Sequence, residues 1–506
     1  MRIGVTNKLD EVRTSFNGRK CKSERSPIGQ FLTPAAIAQF MGCLFEKEVE
    51  EARILDPGAG AGVLLAAAIE SLISRKSKPK KIEVVAYEND DQIIPYLKDT
   101  MLQCELSCKS VNVPFYGSIL EEDFIVAGVE AIDEGLFAVQ KEKFTHAILN
   151  PPYRKINGDS VTRRLLNAAG IEVSNLYAAF VWLAARMLKP NGELVAITPR
   201  SFCNGPYFRR FRLSFLELMA LRRLHVFESR KKAFGDDEVL QENIIFYATR
   251  GRRKPKQVNV SVSEGLDFNN TKSRRILYER LVMPEDKDAF IHLALADADD
   301  QVIDLMRGFR TSLPELGIEA STGRLVDFRV REYLRAMPEN GTMPLIFSCH
   351  FDNGFISWPS QSGKKPNAVA LSDRTRDLLI ESGYYVLTKR FTSKEERRRV
   401  VAAIYDPHRV QSPLVAFENH LNYFHSGGIG LSPRLAKGLA VYLNSSLFDR
   451  CFRLFSGHTQ VNATDLRKMG YPTREQLIRM GNHIDQRLPD QEAIDAILDK
   501  ECGPNG

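Results

Sequence analysis

Between residues 26 and 250, seven short apolar runs alternate with helical patterns, and no other feature constrains the fold as tightly. The runs are Ala52–Asp56, Lys81–Tyr87, Val113–Leu120, His146–Leu149, Glu193–Thr198, Leu221–Phe227 and Asn243–Thr249. A strand that feeds a helix before the next strand returns parallel to its neighbour. The alternation therefore predicts an α/β fold, a doubly wound parallel sheet with helices on both faces. The apolar helix Leu176–Leu188 ends at Lys189-Pro190-Asn191-Gly192, a stop followed by a turn. The basic run Arg250–Lys256 contains a proline and reads as a linker. Residues 257–480 lose the strand–helix rhythm. They mix a strand at Tyr384–Leu387 with helices at Lys394–Ile404 and Pro433–Asn444, as expected of an α+β domain. Residues 1–25 read as a flexible arm and 481–506 as a tail. A chain of 506 residues exceeds one ordinary core, which agrees with two domains.

Composition removes several classes. No apolar run reaches the ~18 residues of a membrane span. Met1–Ser26 is polar and basic without an apolar stretch, so no signal peptide is expected. Eight cysteines without a metal-like CxxC pair read as reduced thiols, which suits a cytoplasmic protein. Cys104 and Cys108 lie four apart but lack two further ligands, and no metal is expected. The net charge of +7 is mild, so clustering carries more information. Arg222-Arg223, Arg230-Lys231-Lys232, Arg250–Lys256 and Arg397-Arg398-Arg399 are candidate phosphate contacts or, equally, solvated faces.

Two stretches carry the chemistry. Ile54-Leu55-Asp56-Pro57-Gly58-Ala59-Gly60-Ala61-Gly62 reads as strand, glycine turn and helix start, where backbone approaches a ligand closely and N–H groups are open. It has neither the GxGxxG spacing of a dinucleotide site nor the Lys-Ser/Thr of a P-loop. Asp56 would repel a pyrophosphate and suits a cationic amino-acid group. Glu88, at the tip of the second strand, suits a ribose diol. Downstream, Asn150-Pro151-Pro152-Tyr153 follows the strand end Ala147-Ile148-Leu149. Two prolines forbid continuation as sheet or helix. That leaves an amide oxygen, backbone carbonyls and a flat aromatic, a seat for a planar molecule with an amino group. An ordinary Asn-Pro turn is the competing reading of this tetrapeptide alone.

The ordered set of glycine turn, Glu88 and Asn-Pro-Pro-Tyr resembles the S-adenosylmethionine-dependent DNA adenine-N6 methyltransferases. The order resembles their γ (TaqI-like) arrangement, and more narrowly the BsuBI/PstI group of type II modification methylases. Phe31-Leu32-Thr33-Pro34 resembles the N-terminal cofactor motif, His225–Asn243 the late catalytic motif and Phe452–Asn462 the C-terminal recognition segment; the resemblance spans roughly residues 26–475. It implies a seven-stranded, Rossmann-like methyltransferase sheet over 26–250 and an α+β target-recognition domain over 257–480. It further implies that Asn150 and the carbonyl of Pro151 accept the two protons of an adenine amino group. Pro152 stiffens the tip and Tyr153 stacks on the flipped base. Phe234 covers its other face, with Phe246 as a second candidate. Thr33, Pro34, Asp56, Gly58 and Gly60 line the methionine end of the cofactor, Glu88 takes the ribose, and Asp123 and Phe124 hold its adenine. Asp123 also belongs to an acidic run, Glu121-Glu122-Asp123, that suits an exposed surface, and Thr33-Pro34 suits a helix cap. Lys389, Arg390, Arg453, Gln460 and Asn462 are the implied readers of double-stranded DNA. A monomer, a separately encoded restriction endonuclease as genetic partner, and a six-base palindrome such as CTGCAG belong to the same implication.

Four other readings compete with this one. The Asn-Pro-Pro-Tyr tip also serves RNA guanine-N2 methyltransferases and protein glutamine methyltransferases. The ~250 residues after the core favour recognition of long DNA over both. A non-catalytic DNA-binding relative is disfavoured by the intact glycine turn, Glu88 and Asn150. A fused nuclease is disfavoured because Pro284-Glu285-Asp286-Lys287 lacks the separated acid of a nuclease motif.

Overall fold

Strand β1 (Glu51–Asp56) sits inside a sheet because both of its faces are apolar, with Ala52, Ile54 and Leu55 buried. It pairs in parallel with β2 (Lys81–Tyr87) on one side and β4 (Phe144–Leu149) on the other. The computed structural model describes Thr6 and residues 33–132, 143–227, 243–251, 253–284, 286–293, 297–361, 365–392, 396–455 and 460–503. Two compact units divide the chain, Met1–Leu295 and Ala296–Gly506.

In the first unit β3 (Phe115–Leu120), β5 (Leu188–Pro199), β6 (Met219–Phe227) and β7 (Asn243–Arg250) complete the order β3-β2-β1-β4-β5-β7-β6, and β7 runs antiparallel to both its neighbours. The sheet has nine strands, not the expected seven. Strand β8 (Gln257–Ser263) pairs in parallel with β6, and β9 (Lys272–Leu277) closes a hairpin on β8. The reason is the alternation of Val258, Val260 and Val262, all buried, on an edge that β6 would otherwise leave open. Arg250–Lys256 is thus a connection within one unit rather than a domain linker. Two of its cations are engaged by backbone: Arg250 donates to the carbonyls of Arg186 and Leu188, and Lys254 to those of Leu216 and Met219. Arg222 and Arg223 bond Thr249 and Glu46. Arg230-Lys231-Lys232 lies outside the described residues. Lys189–Gly192 makes the expected turn, but as a bulge: the β4–β5 register jumps from Phe144↔Leu188 to His146↔Glu193, with Asn191 at φ 59°.

Helices cover both faces. Helix α1 (Ala35–Gly42) packs on α2 (Val63–Ile73), which is buried along most of its length. Helices α3 (Ile94–Ser110), α4 (Phe124–Ile132), α5 (Val161–Ala168), α6 (Leu176–Met187) and α7 (Arg209–Leu218) follow in the connections. The arm at 1–25 lies outside the described residues except for buried Thr6, whose hydroxyl meets Glu70.

The second unit holds two sheets. One has six strands in the order Glu319–Thr322, Leu421–His425, Tyr385–Lys389, Ala402–Tyr405, Phe355–Ile356 and Phe351–Asp352. The other has five, including Thr342–Ile346 and Leu414–Phe417. The helix expected over Lys394–Ile404 is, over its described residues from 396 on, an approach to a strand. Its charged residues suit a helix, but Val400, Ala402 and Ile404 turn inward and Ala402–Tyr405 pairs with Tyr385–Thr388. Arg398 and Arg399 are also held internally, on the carbonyls of Asn444 and Thr392. The end of the chain is no tail either: Gln491–Cys502 is a helix that buries Ile494 and Leu498 in the core of this unit.

Gly62 closes the turn before α2 at φ +85°, and a Cβ there would lie 2.9 Å from both Leu97 Cδ1 and Thr100 Cγ2. Gly62→Ala is expected to lower the denaturation midpoint by the equivalent of about 2 kcal/mol. The control Gly158→Ala, where a Cβ would meet nothing within 4 Å, should be near neutral.

Candidate active site

The strand order reverses between β1 and β4, so the connections leaving these neighbours diverge and open a crevice at their carboxyl ends. The glycine turn leaves β1 there, and Asn150 leaves β4 there. The sequence-predicted residues Asp56, Gly58, Gly60, Glu88, Asn150 and Tyr153 are thereby brought to one edge of one sheet.

Asp56 ends β1 fully buried, and neither carboxylate oxygen has a partner in hydrogen-bonding geometry among the described residues. Burial pushes its pKa from 3.8 up to about 8; the nearby Gly58 amide offsets part of this, and the Glu88 charge adds to it. A buried carboxylate in this state is costly unless a cation joins it. Glu88, at the end of β2, is buried too but well satisfied. Its Oε2 accepts the Gly60 amide at 2.8 Å, and its Oε1 accepts the amides of Asn89 and Asp90 at 2.9 Å each. Glu88 thus ties the glycine turn to the second strand, and its remaining acceptor capacity lies mainly on Oε2. Gly60 (φ 53°) and Gly62 take left-handed conformations that turn the chain sharply. A Cβ on Gly58 would stand 3.4 Å from the ring of Phe180. That ring touches Phe124, which in turn touches Tyr87, with ring centroids 5.1 Å apart in both pairs. Phe124 is therefore part of an aromatic wall beside the glycine turn. Asp123 is exposed and caps α4 by accepting the Ile125 amide at 2.7 Å. Its capping role comes from the same Asx geometry that makes it a candidate ligand.

At the β4 tip, Asn150 sits between two hydroxyls. Its Nδ2 donates to Thr33 Oγ1 at 3.0 Å, and its Oδ1 accepts the Tyr153 hydroxyl at 2.9 Å. That hydroxyl also lies 3.5 Å from the carbonyl oxygen of Ile197. Burial pushes the Tyr153 phenol well above its ordinary pKa, so it keeps its proton and remains a donor. The Tyr153 ring is partly exposed and meets Tyr177 edge-on, centroids 6.3 Å apart. Pro151 is buried and Pro152 half-buried. Thr33 is buried, and Pro34 precedes α1 with a φ of −58°.

Some assignments change. Phe246 cannot face a ligand: it is buried in β7 against Phe202 and Phe215. Phe234 lies outside the described residues. Sequence reasoning missed Tyr177 and Phe180, because α6 reads simply as an apolar helix. It also missed the Thr33–Asn150 bond, which joins residues 117 positions apart.

In the second unit two of the predicted segments meet. Phe391 and Gln460 form a bridge, and the Val461 amide donates to the Arg390 carbonyl at 2.8 Å. Lys389, Arg390 and Gln460 therefore share one region, beside the half-exposed ring of Phe391 and the exposed His420, centroids 4.8 Å apart. Arg453 and Asn462 have internal tasks. Arg453 pairs with Asp449 at 2.7 Å and with the Glu396 carbonyl at 2.9 Å. Asn462 precedes the helix Ala463–Arg467 and donates to Asp465 at 3.1 Å. Arg453→Ala is accordingly expected to lower thermal stability with little effect on ligand preference, and Gln460→Ala the reverse, read by melting and by DNA titration.

Asp56 gives a pH-dependent expectation. A carboxyl whose pKa is raised on folding withdraws stability as pH rises from 3.8 towards about 8. Asp56→Asn should therefore raise the apo-protein Tm. The gain should be small at about pH 4 and largest above about pH 8, read by thermal melting across that range.

A model of the Eco57I restriction-modification methylase family matches residues 76–234. The chain is 43% identical over 498 residues to the type II methyltransferase M.PstI of Providencia stuartii, covering 98% of this chain and 97% of that protein. It is also 43% identical over 501 residues to the type II methyltransferase M.BsuBI of Bacillus subtilis, covering 98% of each. Among solved structures, the type IIL restriction-modification enzyme MmeI in complex with DNA shares the fold, with TM-score 0.54 at 11% identity, over 93% of this chain and 72% of that one. With relatives this similar along nearly the whole chain, the protein belongs to the family of type II methyltransferases that contains M.PstI and M.BsuBI.

Proposed function

We propose that the chain is a site-specific DNA adenine-N6 methyltransferase that uses S-adenosyl-L-methionine, the modification half of a type II restriction–modification system. The observation that carries this reading is the pairing, on one sheet edge, of an unsatisfied buried carboxylate with a clamped amide. The cofactor fits the first of these. Asp56 has the charge to receive its ammonium group, Oε2 of Glu88 has acceptor capacity for a ribose hydroxyl, and Tyr87, Phe124 and Phe180 offer an aromatic wall for its base. When bound, S-adenosyl-L-methionine supplies an electrophilic methyl group.

The chain's own residues make the acceptor nitrogen reactive. An adenine amino group is a weak nucleophile because its lone pair is delocalised into the ring. On this reading Asn150 Oδ1, which accepts the Tyr153 hydroxyl, also accepts one amino proton. The Pro151 carbonyl takes the other proton. Two acceptors draw the nitrogen toward tetrahedral geometry and orient it, which is catalysis by placement and electrostatics without a covalent enzyme intermediate. The base must leave the duplex to reach this seat, and Tyr153 stacks on it. The same seat accepts a guanine or glutamine amino group, so the second unit supports the choice of DNA. The confluence of Lys389, Arg390, the half-exposed Phe391 and Gln460 suits a groove reader. We take the acting species as a monomer with a separately encoded endonuclease as its genetic partner.

The test is to incubate duplex DNA with the protein and methyl-labelled cofactor, then analyse the digested nucleosides by mass spectrometry. N6-methyladenine is expected from the wild type. Asn150→Ala should lose it by at least about a hundredfold while retaining cofactor binding. Label on RNA or protein alone would overturn the DNA reading.

A further inference from the structure

We propose that Thr33 is a positioning residue for the transfer step. Its hydroxyl holds the Asn150 amide so that Oδ1, and not Nδ2, faces the amino group to be methylated. The inference rests on the adenine reading above and assigns Thr33 to Asn150 in place of the cofactor role that sequence resemblance gives it.

A carboxamide presents an acceptor on one side and a donor on the other, and turning it over exchanges them. An Asn that must accept a proton from its substrate is inactive when flipped, because two donors then face each other. Something must therefore fix the amide. Thr33 Oγ1 receives Nδ2 at 3.0 Å, and the Tyr153 hydroxyl reaches Oδ1 at 2.9 Å. The Tyr153 hydroxyl donates to the oxygen on its side, and Thr33 accepts the nitrogen on the other, so the two hydroxyls bracket the amide in this orientation. Thr33 is itself buried and precedes α1, a helix packed on α2 behind the glycine turn. The element at the cofactor side of the crevice thus sets the orientation of the group that binds the substrate.

Thr33→Val keeps the shape and removes the acceptor; Thr33→Ser keeps the hydroxyl. Single-turnover methylation of duplex DNA and a separate cofactor titration are measured for wild type, both variants and Thr33→Ala. Thr33→Val and Thr33→Ala are expected to slow the methyl-transfer step by about 10- to 100-fold. Their cofactor dissociation constants should stay within about threefold, and Thr33→Ser should recover most of the rate. Thr33→Ala also serves if the β-branched variant folds poorly, as judged by circular dichroism. Weakened cofactor binding with an unchanged transfer rate would overturn the proposal, as would unchanged values for both. Failure of the wild type itself to form N6-methyladenine would instead reject the underlying adenine reading.

Discussion

The carboxylate of Asp56 is the constraint on which the rest of the site depends. It closes a central strand, is removed from water, and lacks a hydrogen-bonding partner among the described residues. A fold does not keep an unpartnered buried acid for stability. Its neighbour shows the contrast: Glu88, one strand away, takes three backbone amides and so fixes the path of the glycine turn. One acid builds the cradle, and the other, on the proposed reading, receives the cofactor's ammonium group in it. Both stand at the carboxyl ends of parallel strands, where diverging connections leave room.

The second half of the site follows from the rigidity of the β4 tip. Two prolines end the strand without a donor to spare, so Asn150 is held by the backbone before any side-chain bond is made. The amide is then bracketed by hydroxyls from residues far apart in sequence, Thr33 and Tyr153. Orientation of this kind costs little at the moment of reaction, because it is complete before substrate arrives.

Much of this architecture is legible in the sequence, for identifiable reasons. The seven β-strands up to Asn243–Arg250 stand out because buried parallel strands read as apolar runs bounded by turn residues. The hairpin β8–β9 escaped because Val258, Val260 and Val262 alternate with polar residues beside a basic, proline-containing stretch that resembles a linker. Lys394–Ile404 was misleading because local charge suggested a helix where strand pairing decided the outcome. The site shows the same division. Asp56, Glu88 and Asn150 lie at strand ends, where sequence position predicts location. Arg453 and Asn462 carry side chains suited to reading a groove, but tertiary contacts with Asp449 and Asp465 engage them. Long-range bonds such as Thr33 to Asn150 leave no periodic trace in a chain.

The most direct measurement is proton release on cofactor binding, obtained by calorimetry in buffers of different ionisation enthalpy at about pH 6.5. In the apo-protein Asp56 is protonated there, its pKa being raised to about 8, and a bound ammonium group would draw off that proton. Release of about one proton is expected from the wild type and almost none from Asp56→Asn. Binding without proton release, or release that persists in Asp56→Asn, would contradict the assignment of the buried carboxylate to the cofactor.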